Sequence, residues 1–186
     1  MSKPAPAAKR RIDRDALLPP MAQFLLENGV HAASLRPLAK AAGTSDRMLV
    51  YHFGSKDALV EEVLMWLADR VQAQLGQLVP AQKEGTLADF ATMLFDLLRQ
   101  PMLRPHLALL MEVSACCARG QDNFLIVCQQ VVDSYHTWLV DIMPPTEGDR
   151  TAAVAHMLAT VEGALMQDMA GREAFARMAL ERAFGD

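Results

Sequence analysis

The segment from Ser34 to Lys56, SLRPLAKAAGTSDRMLVYHFGSK, constrains the fold more than any other part of the chain. Ser34 stands where a helix N-cap is expected, and Pro37 falls in the following first turn, where a missing N–H costs little. Gly43 is expected to end this helix with a positive φ, and Ser45 is expected to cap another short helix. The pattern therefore predicts two short helices joined by a tight turn.

The second of these helices ends at Gly54, and Ser55 can cap a long helix that follows. Leu49 and Phe53 are spaced to face inward, which directs Asp46, Arg47, Val50 and Tyr51 outward. Such a helix-turn-helix is suited to placing its second helix in the DNA major groove. An apolar stripe that stops at Asn28-Gly29 predicts a supporting helix upstream. Its members are Leu17, Leu18, Met21, Phe24 and Leu25.

Three stretches carry a family resemblance: FLLENG with Gly29, SLRPLAKAAGTS, and MLVYHFGSKDALVEEVL. On these residues the chain resembles the TetR/AcrR family of transcriptional regulators. The resemblance implies an all-α fold of about nine helices, with an amino-terminal three-helix DNA-binding domain and a carboxy-terminal helical domain for ligand binding and dimerisation. Pro19-Pro20 departs from the family pattern. Because adjacent prolines are costly inside a helix, the first helix should begin near Leu18 or be kinked there.

Breaks in the helical pattern divide the chain into four parts. We expect a flexible basic tail in residues 1–12, a DNA-binding domain in 13–56, a linking helix in 57–79 and an effector-binding and dimerisation domain in 80–186. The tail is either a solvated segment or an arm that contacts DNA beside the main site. The last domain should contain helices near residues 86–100, 101–119, 122–143, 151–170 and 172–184.

The charge distribution agrees with this division. The chain has a net charge of −4, but residues 1–56 carry nine Lys/Arg and four Asp/Glu, a net charge of +5. Residues 57–186 carry nine Lys/Arg and eighteen Asp/Glu, a net charge of −9. A basic amino-terminal part suits phosphate binding, and an acidic remainder is repelled by it.

The predicted DNA contacts centre on Arg47, at the second position of the reading helix. An arginine there can hydrogen-bond guanine O6 and N7 together, although a phosphate contact or an ion pair with Asp46 is the alternative. Lys56 lies at a helix N-terminus, a natural anion site. His52 either binds phosphate or has a local structural role. The full predicted set is Ser34, Arg36, Ser45, Arg47, Met48, Val50, Tyr51, His52 and Lys56.

Small residues in the penultimate helix suggest a subunit interface. Ala155, Ala159 and Gly163 recur every four residues, and small side chains allow a second helix to approach closely. Phe175 and Ala179 of the last helix extend this face. Ordinary packing within one chain is the alternative. A homodimer would also suit a short reading helix, because a two-fold pair reads half-sites about 34–36 Å apart.

The resemblance implies a pocket for a small effector in residues 80–186. The expected ligand is apolar, with a cationic group as an option because Glu112 lies among apolar residues. Ordinary core packing is the alternative for each candidate, and for any single one it is favoured. The candidates are Phe90, Leu94, Met111, Glu112, Phe124, Val127, Val131 and Met157.

Other functional classes have weaker support. Cys116, Cys117 and Cys128 lack the spacing of a disulfide framework or metal site, but a thiol-based redox-sensing regulator remains an alternative. The five histidines show no metal-ligand pairing, and no nucleophile or phosphate-loop motif is present, so we expect no enzyme activity, metal or cofactor.

The chain start lacks a signal-peptide pattern, and no apolar run is long enough to span a membrane, which predicts a cytoplasmic location.

Overall fold

Residues 13–185 are described by the structure, a computed structural model. The predicted basic tail lies outside this range. The described part is helical without a strand, and its contacts divide it into two units between Trp66 and Leu67. No helix in this part is long and apolar enough to cross a membrane. Its α-helices are α1 Leu18–Asn28, α2 Leu35–Ala41, α3 Asp46–Phe53, α4 Lys56–Leu78, α5 Leu87–Leu98, α6 Arg104–Ala118, α7 Leu125–Ile142, α8 Arg150–Met169 and α9 Glu173–Phe184.

The first helix begins where its prolines predict. A 3₁₀ turn over Asp15–Leu17 leads into α1, and the two prolines occupy the first turn of α1. Their missing N–H groups have no intrahelical partner to lose there. The helix ends at Gly29, which has a φ of 77°. The prediction of a start near Leu18 is therefore confirmed.

Ser34 is the N-cap of α2 as predicted, but its expected capping hydrogen bond does not form, for a local reason. Ser34 has the extended backbone of an N-cap, with φ −129° and ψ 161°, but its side chain makes no capping hydrogen bond. An N-cap hydroxyl usually accepts from the N–H of the second or third helical residue. The third residue of α2 is Pro37, which has no N–H to donate. Ser45 does cap α3, since its side chain accepts from the Met48 N–H at 3.4 Å.

The amino-terminal unit has a small apolar core built from α1, α2, α3 and the first part of α4. Helix α2 contacts both α1 and α3. The first part of α4 contributes the buried side chains of Leu59, Val60, Val63 and Leu64. Fully buried side chains of this unit are Met21, Leu25, Leu38, Leu49, Leu59 and Val63.

The carboxy-terminal unit packs around α8. This helix contacts α5, α7 and α9, and α5 also contacts α9. Thr86 and Asp89 form a capping box at the start of α5. The predicted helix over residues 122–143 is shorter than expected, because Asp122–Phe124 forms a 3₁₀ turn before α7.

An ionic cluster, here called the Arg99 cluster, joins α5, α8 and α9. Arg99 contacts Asp168 at 2.9 Å and Glu173 at 2.5 Å, while Arg177 contacts Asp96 at 2.9 Å. The side chain of Asp168 is only 6% exposed, so it needs a cationic partner. Hydrogen bonds from Arg99, and then from Arg177, hold the pKa of Glu173 at about 2, well below its usual value.

This low pKa predicts a pH-dependent contribution to stability. A carboxylate whose pKa is depressed by folding stabilises the native state above its unfolded pKa, and the effect disappears as the pH falls through the folded pKa. We therefore expect wild type to melt at a higher temperature than Glu173→Gln at pH 7. The difference should shrink between about pH 4.5 and pH 2. Thermal melts across this range measure it, and a difference independent of pH would contradict the assignment.

Candidate nucleic-acid interface

Helix α3 presents one buried and one exposed face. Leu49 and Phe53 are 0% and 7% exposed, as their spacing predicts. On the opposite side, Val50 is 41% and Tyr51 77% exposed, and Arg47 is also exposed. Ser45 is exposed and Met48 is half-buried. An apolar valine and an aromatic side chain left open to water are candidates for contact with a partner surface.

Arg47 is available for an external contact. Within residues 13–185 no hydrogen bond or ion pair engages its guanidinium, and the alternative ion pair with Asp46 does not form there. Its position in the first turn of an exposed helix is the position from which such helices contact base edges.

His52 is oriented toward its neighbours instead of toward solvent. Its Nε2 atom is buried and, within the described residues, has no hydrogen-bond partner. The ring makes edge contacts with Tyr51 and Phe53, at centroid distances of 5.1 and 6.3 Å. This placement favours the local structural role that the sequence left open for His52.

The start of α4 lies directly after the reading helix. The Ser55 hydroxyl accepts the Ala58 N–H at 3.1 Å, which caps the helix. Lys56 Nζ lies 3.2 Å from Asp57 Oδ1, and both side chains are about half exposed. Since an exposed pair of this kind is weak, a phosphate can compete with Asp57 for the ammonium group. Ser34 and Arg36, at the start of α2, are also exposed.

Arg14 is a residue that the sequence reasoning missed. Its Nε donates to the carbonyl oxygen of His52 at 3.2 Å, and its Nη2 contacts Glu62 at 2.5 Å. The guanidinium also lies 4.9 Å from the centre of the Phe53 ring. A cation at the C-terminal end of α3 matches the helix dipole, and the ring contact adds a cation–π interaction. Arg14 therefore fixes the C-terminal end of the reading helix.

The eight predicted effector-pocket residues do not form one group. Phe90, Leu94 and Met157 belong to a single buried cluster in the carboxy-terminal unit, and Met111 packs against it. Three others are buried outside that cluster: Phe124, Val127 and Val131. Glu112 is half-buried on α6.

A separate groove of about 480 Å³ lies between α4 and α7. It is lined by polar groups and one indole ring, and it includes none of the eight predicted pocket residues. The two carboxylates, Asp133 and Asp141, lie on α7 beside Trp138. Its lining residues are Gln72, Asp133, Ser134, Thr137, Trp138 and Asp141.

The predicted interface residues of α8 and α9 share an exposed face in the single chain. Ala155, Ala159, Gly163 and Ala179 are exposed, and Phe175 is 53% exposed. Two large apolar side chains lie among them in the sequence. They are Met166 and Met178, at 57% and 55% exposure. Helices that expose this much apolar surface are typical of interaction surfaces.

A metal site is not apparent in the part of the chain that the structure describes. No three His, Cys, Asp or Glu residues of that part come together in an arrangement that would hold a metal ion.

Comparison with known proteins finds a family match in the amino-terminal unit. Residues 22–63 match the family described as bacterial regulatory proteins, tetR family. Over 63 residues the chain is 40% identical to the HTH-type transcriptional repressor KstR2 of Mycolicibacterium smegmatis. This part of the chain is therefore similar to the TetR family of bacterial regulatory proteins. The match covers 32% of this chain and 31% of the length of KstR2.

Solved structures show a similar fold over most of the chain. The multidrug binding protein EbrR, complexed with proflavin, is similar with a TM-score of 0.67 and 21% identity, over 92% of this chain and 99% of EbrR. FadR from Bacillus subtilis, in complex with stearoyl-CoA, has a TM-score of 0.63 and 15% identity, over 93% and 98% of the two chains. The all-α expectation is thus confirmed.

The contacts of Arg14 predict that it positions α3 for DNA binding. Arg14→Ala should weaken binding to all DNA sequences by a similar factor, on the order of threefold to tenfold, because it frees the end of α3 without removing a base contact. Glu62→Gln is the matched control: it removes the ion pair and keeps the contacts of Arg14 with His52 and Phe53. A fluorescence anisotropy titration should show a smaller loss for Glu62→Gln. Equal losses would contradict the positioning role.

Proposed function

We propose that this regulator is a repressor that binds a palindromic operator as a homodimer and is released by a small-molecule effector. The observation that carries the proposal is the exposed face of α3, with Arg47 unpaired among the described residues beside the open side chains of Val50 and Tyr51. The match to KstR2, a transcriptional repressor, supports the direction of regulation.

DNA recognition is divided between two kinds of contact. We assign base reading to Arg47, with Met48 and Val50 meeting thymine methyl groups. Backbone contacts are assigned to Tyr51, Lys56 and the residues at the start of α2, since hydroxyls, ammonium groups and helix N-termini commonly bind phosphate. Because its Nε2 atom is buried, we assign His52 a local structural role and no phosphate contact through that atom.

The division is tested by comparing two variants on an operator selected from random DNA. Arg47→Ala should relax the preference at one base pair of each half-site, with a loss of about 1–3 kcal/mol on the preferred sequence. Lys56→Ala should weaken binding to every sequence alike. Because one phosphate contact is lost in each subunit, the magnitude of the slope of log affinity against log salt should also fall by about 1 per subunit.

The control is Lys83→Ala, which removes an exposed cation from the loop before α5 and should leave both properties unchanged. If Arg47→Ala lowered affinity equally for all sequences, the base-reading role would be wrong. An unchanged salt slope in Lys56→Ala would exclude it from the phosphate contacts.

Dimerisation is assigned to the exposed face of α8 and α9. A β-carbon added at Gly163 would meet no atom within 4 Å, so this position is open in the single chain. The row of Ala155, Ala159 and Gly163 is narrow enough for a second helix to approach, and Phe175 supplies apolar area. Two such helix pairs would form a four-helix bundle between subunits.

This openness allows a substitution that separates folding from assembly. Gly163→Leu should stabilise the monomer by roughly 0.8 kcal/mol, because glycine is unfavourable inside a helix. In the dimer the same side chain should clash with the partner helix and raise the dimer dissociation constant on the order of tenfold or more. Analytical ultracentrifugation and thermal melts measure the two effects.

Ala108→Leu adds similar bulk at an exposed position of α6 and serves as the control. It should leave the dissociation constant unchanged. A dimer of Gly163→Leu as tight as wild type would place the interface elsewhere.

The effector is assigned to the carboxy-terminal unit. Phe90, Leu94 and Met157, with Met111 beside them, offer an apolar site with adaptable methionine side chains. The polar groove that contains Asp133, Asp141 and Trp138 has the groups that recognise an organic cation. The similarity to EbrR and FadR, which were solved with proflavin and stearoyl-CoA, supports a small organic ligand. Release requires that the ligand bind the form with low DNA affinity more tightly than the other.

A further inference from the structure

Two of the three cysteines meet in the carboxy-terminal unit. Cys117 lies in the last turn of α6 and Cys128 in the first turn of α7, and their sulfur atoms are 3.3 Å apart. Both are free thiols. A disulfide has a sulfur–sulfur distance of about 2.0 Å, so bond formation needs an approach of only about 1.3 Å.

The surroundings of the pair differ from those of Cys116. Cys116 is 0% exposed, whereas Cys117 and Cys128 are each partly exposed. The connection between the helices includes Gly120, where an added β-carbon would meet no atom within 4 Å, and Gln121 is exposed. A small oxidant can therefore approach the pair but not Cys116.

The two thiols have different chemical roles. Burial, together with the hydrogen bond to Cys117, raises the pKa of Cys128 to about 11, so Cys128 keeps its proton at neutral pH. Since the thiolate is the nucleophile, this raised pKa disfavours Cys128 as the first thiol to react with an oxidant.

We propose that Cys117 and Cys128 are a modification site at which hydrogen peroxide converts the thiol pair into a disulfide that links α6 to α7. The Cys117 thiolate attacks one peroxide oxygen and the O–O bond breaks, which gives a sulfenic acid and a hydroxide that is protonated to water. Cys128 then attacks the Cys117 sulfur as it loses its proton. The S–O bond breaks, and the released hydroxide takes up that proton and leaves as the second water. Two thiols are oxidised, and one peroxide is reduced to two waters.

The disulfide has a measurable consequence within this unit. It closes a short loop and reduces the conformational freedom of the unfolded chain, so the oxidised protein should melt at a temperature higher by about 5 °C. This inference goes beyond the proposed function. Because it is measured without DNA, its failure would leave the assignment of operator binding untouched, and the reverse also holds.

The test treats the full-length protein with hydrogen peroxide, blocks the remaining thiols under denaturing conditions and determines the mass and the linked peptides. Wild type should lose two hydrogens and give a peptide that joins Cys117 to Cys128, with one thiol left for alkylation. Cys116→Ser is the matched control and should form the same link. Cys128→Ser should stop at a sulfenic acid on Cys117, which dimedone traps.

Three outcomes would overturn the proposal. They are a link that involves Cys116, a disulfide only between subunits, and oxidation to sulfinic acid without any disulfide in wild type. A melting temperature unchanged by formation of the Cys117–Cys128 link would show that the link does not constrain α6 and α7.

Discussion

The burial of Leu49 and Phe53 is the interaction on which the candidate DNA-binding surface depends. Helix α3 has only eight residues, which is too short to be stable by itself in water. Its helical conformation is therefore maintained by packing against the amino-terminal unit, and the same packing decides which side faces outward. Arg14 reinforces this arrangement, because it contacts the ring of Phe53 and the last turn of α3 together. The exposure of Arg47 is thus a consequence of what lies buried on the other side of the helix.

Features that depend on near neighbours in the sequence could be predicted. The start of α1 followed from two adjacent prolines, and the ends of α1, α2 and α3 followed from Gly29, Gly43 and Gly54, all of which have positive φ. The missing capping hydrogen bond at Ser34 is also a local effect, but predicting it requires the preference for serine at an N-cap and the missing N–H of proline to be considered together. The sequence marks a good N-cap residue and a tolerable proline, and only their combination removes one of the two N–H donors that a cap can use.

Features that depend on distant partners could not be predicted. Arg14 meets partners 38 and 48 residues away, and Arg99 meets Asp168 and Glu173, which lie 69 and 74 residues away. The periodicity of the sequence does not predict which residues so far apart will form a pair. Cys117 and Cys128 are closer, only 11 residues apart. Their contact depends on the geometry of the turn between α6 and α7, which the sequence pattern does not predict. The predicted effector residues are separated in the structure for the same reason. Apolar spacing predicts that Val127 and Phe90 are buried, but it does not predict that only Phe90 belongs to the main cluster of the carboxy-terminal unit.

The packing of the carboxy-terminal unit sets a condition on any effector. Phe90 and Met157 are 2% and 0% exposed, so a ligand that binds between them must select a conformation in which the cluster has opened. Its apparent dissociation constant then equals the intrinsic value divided by the fraction of open molecules. The groove beside Trp138 is already open and imposes no such requirement, but a ligand there keeps more of its surface in water. A ligand in the closed cluster can therefore shift the population of conformations strongly, because the opening itself distinguishes the two states. A ligand in the open groove shifts them only if the distances between α4 and α7 differ between the states.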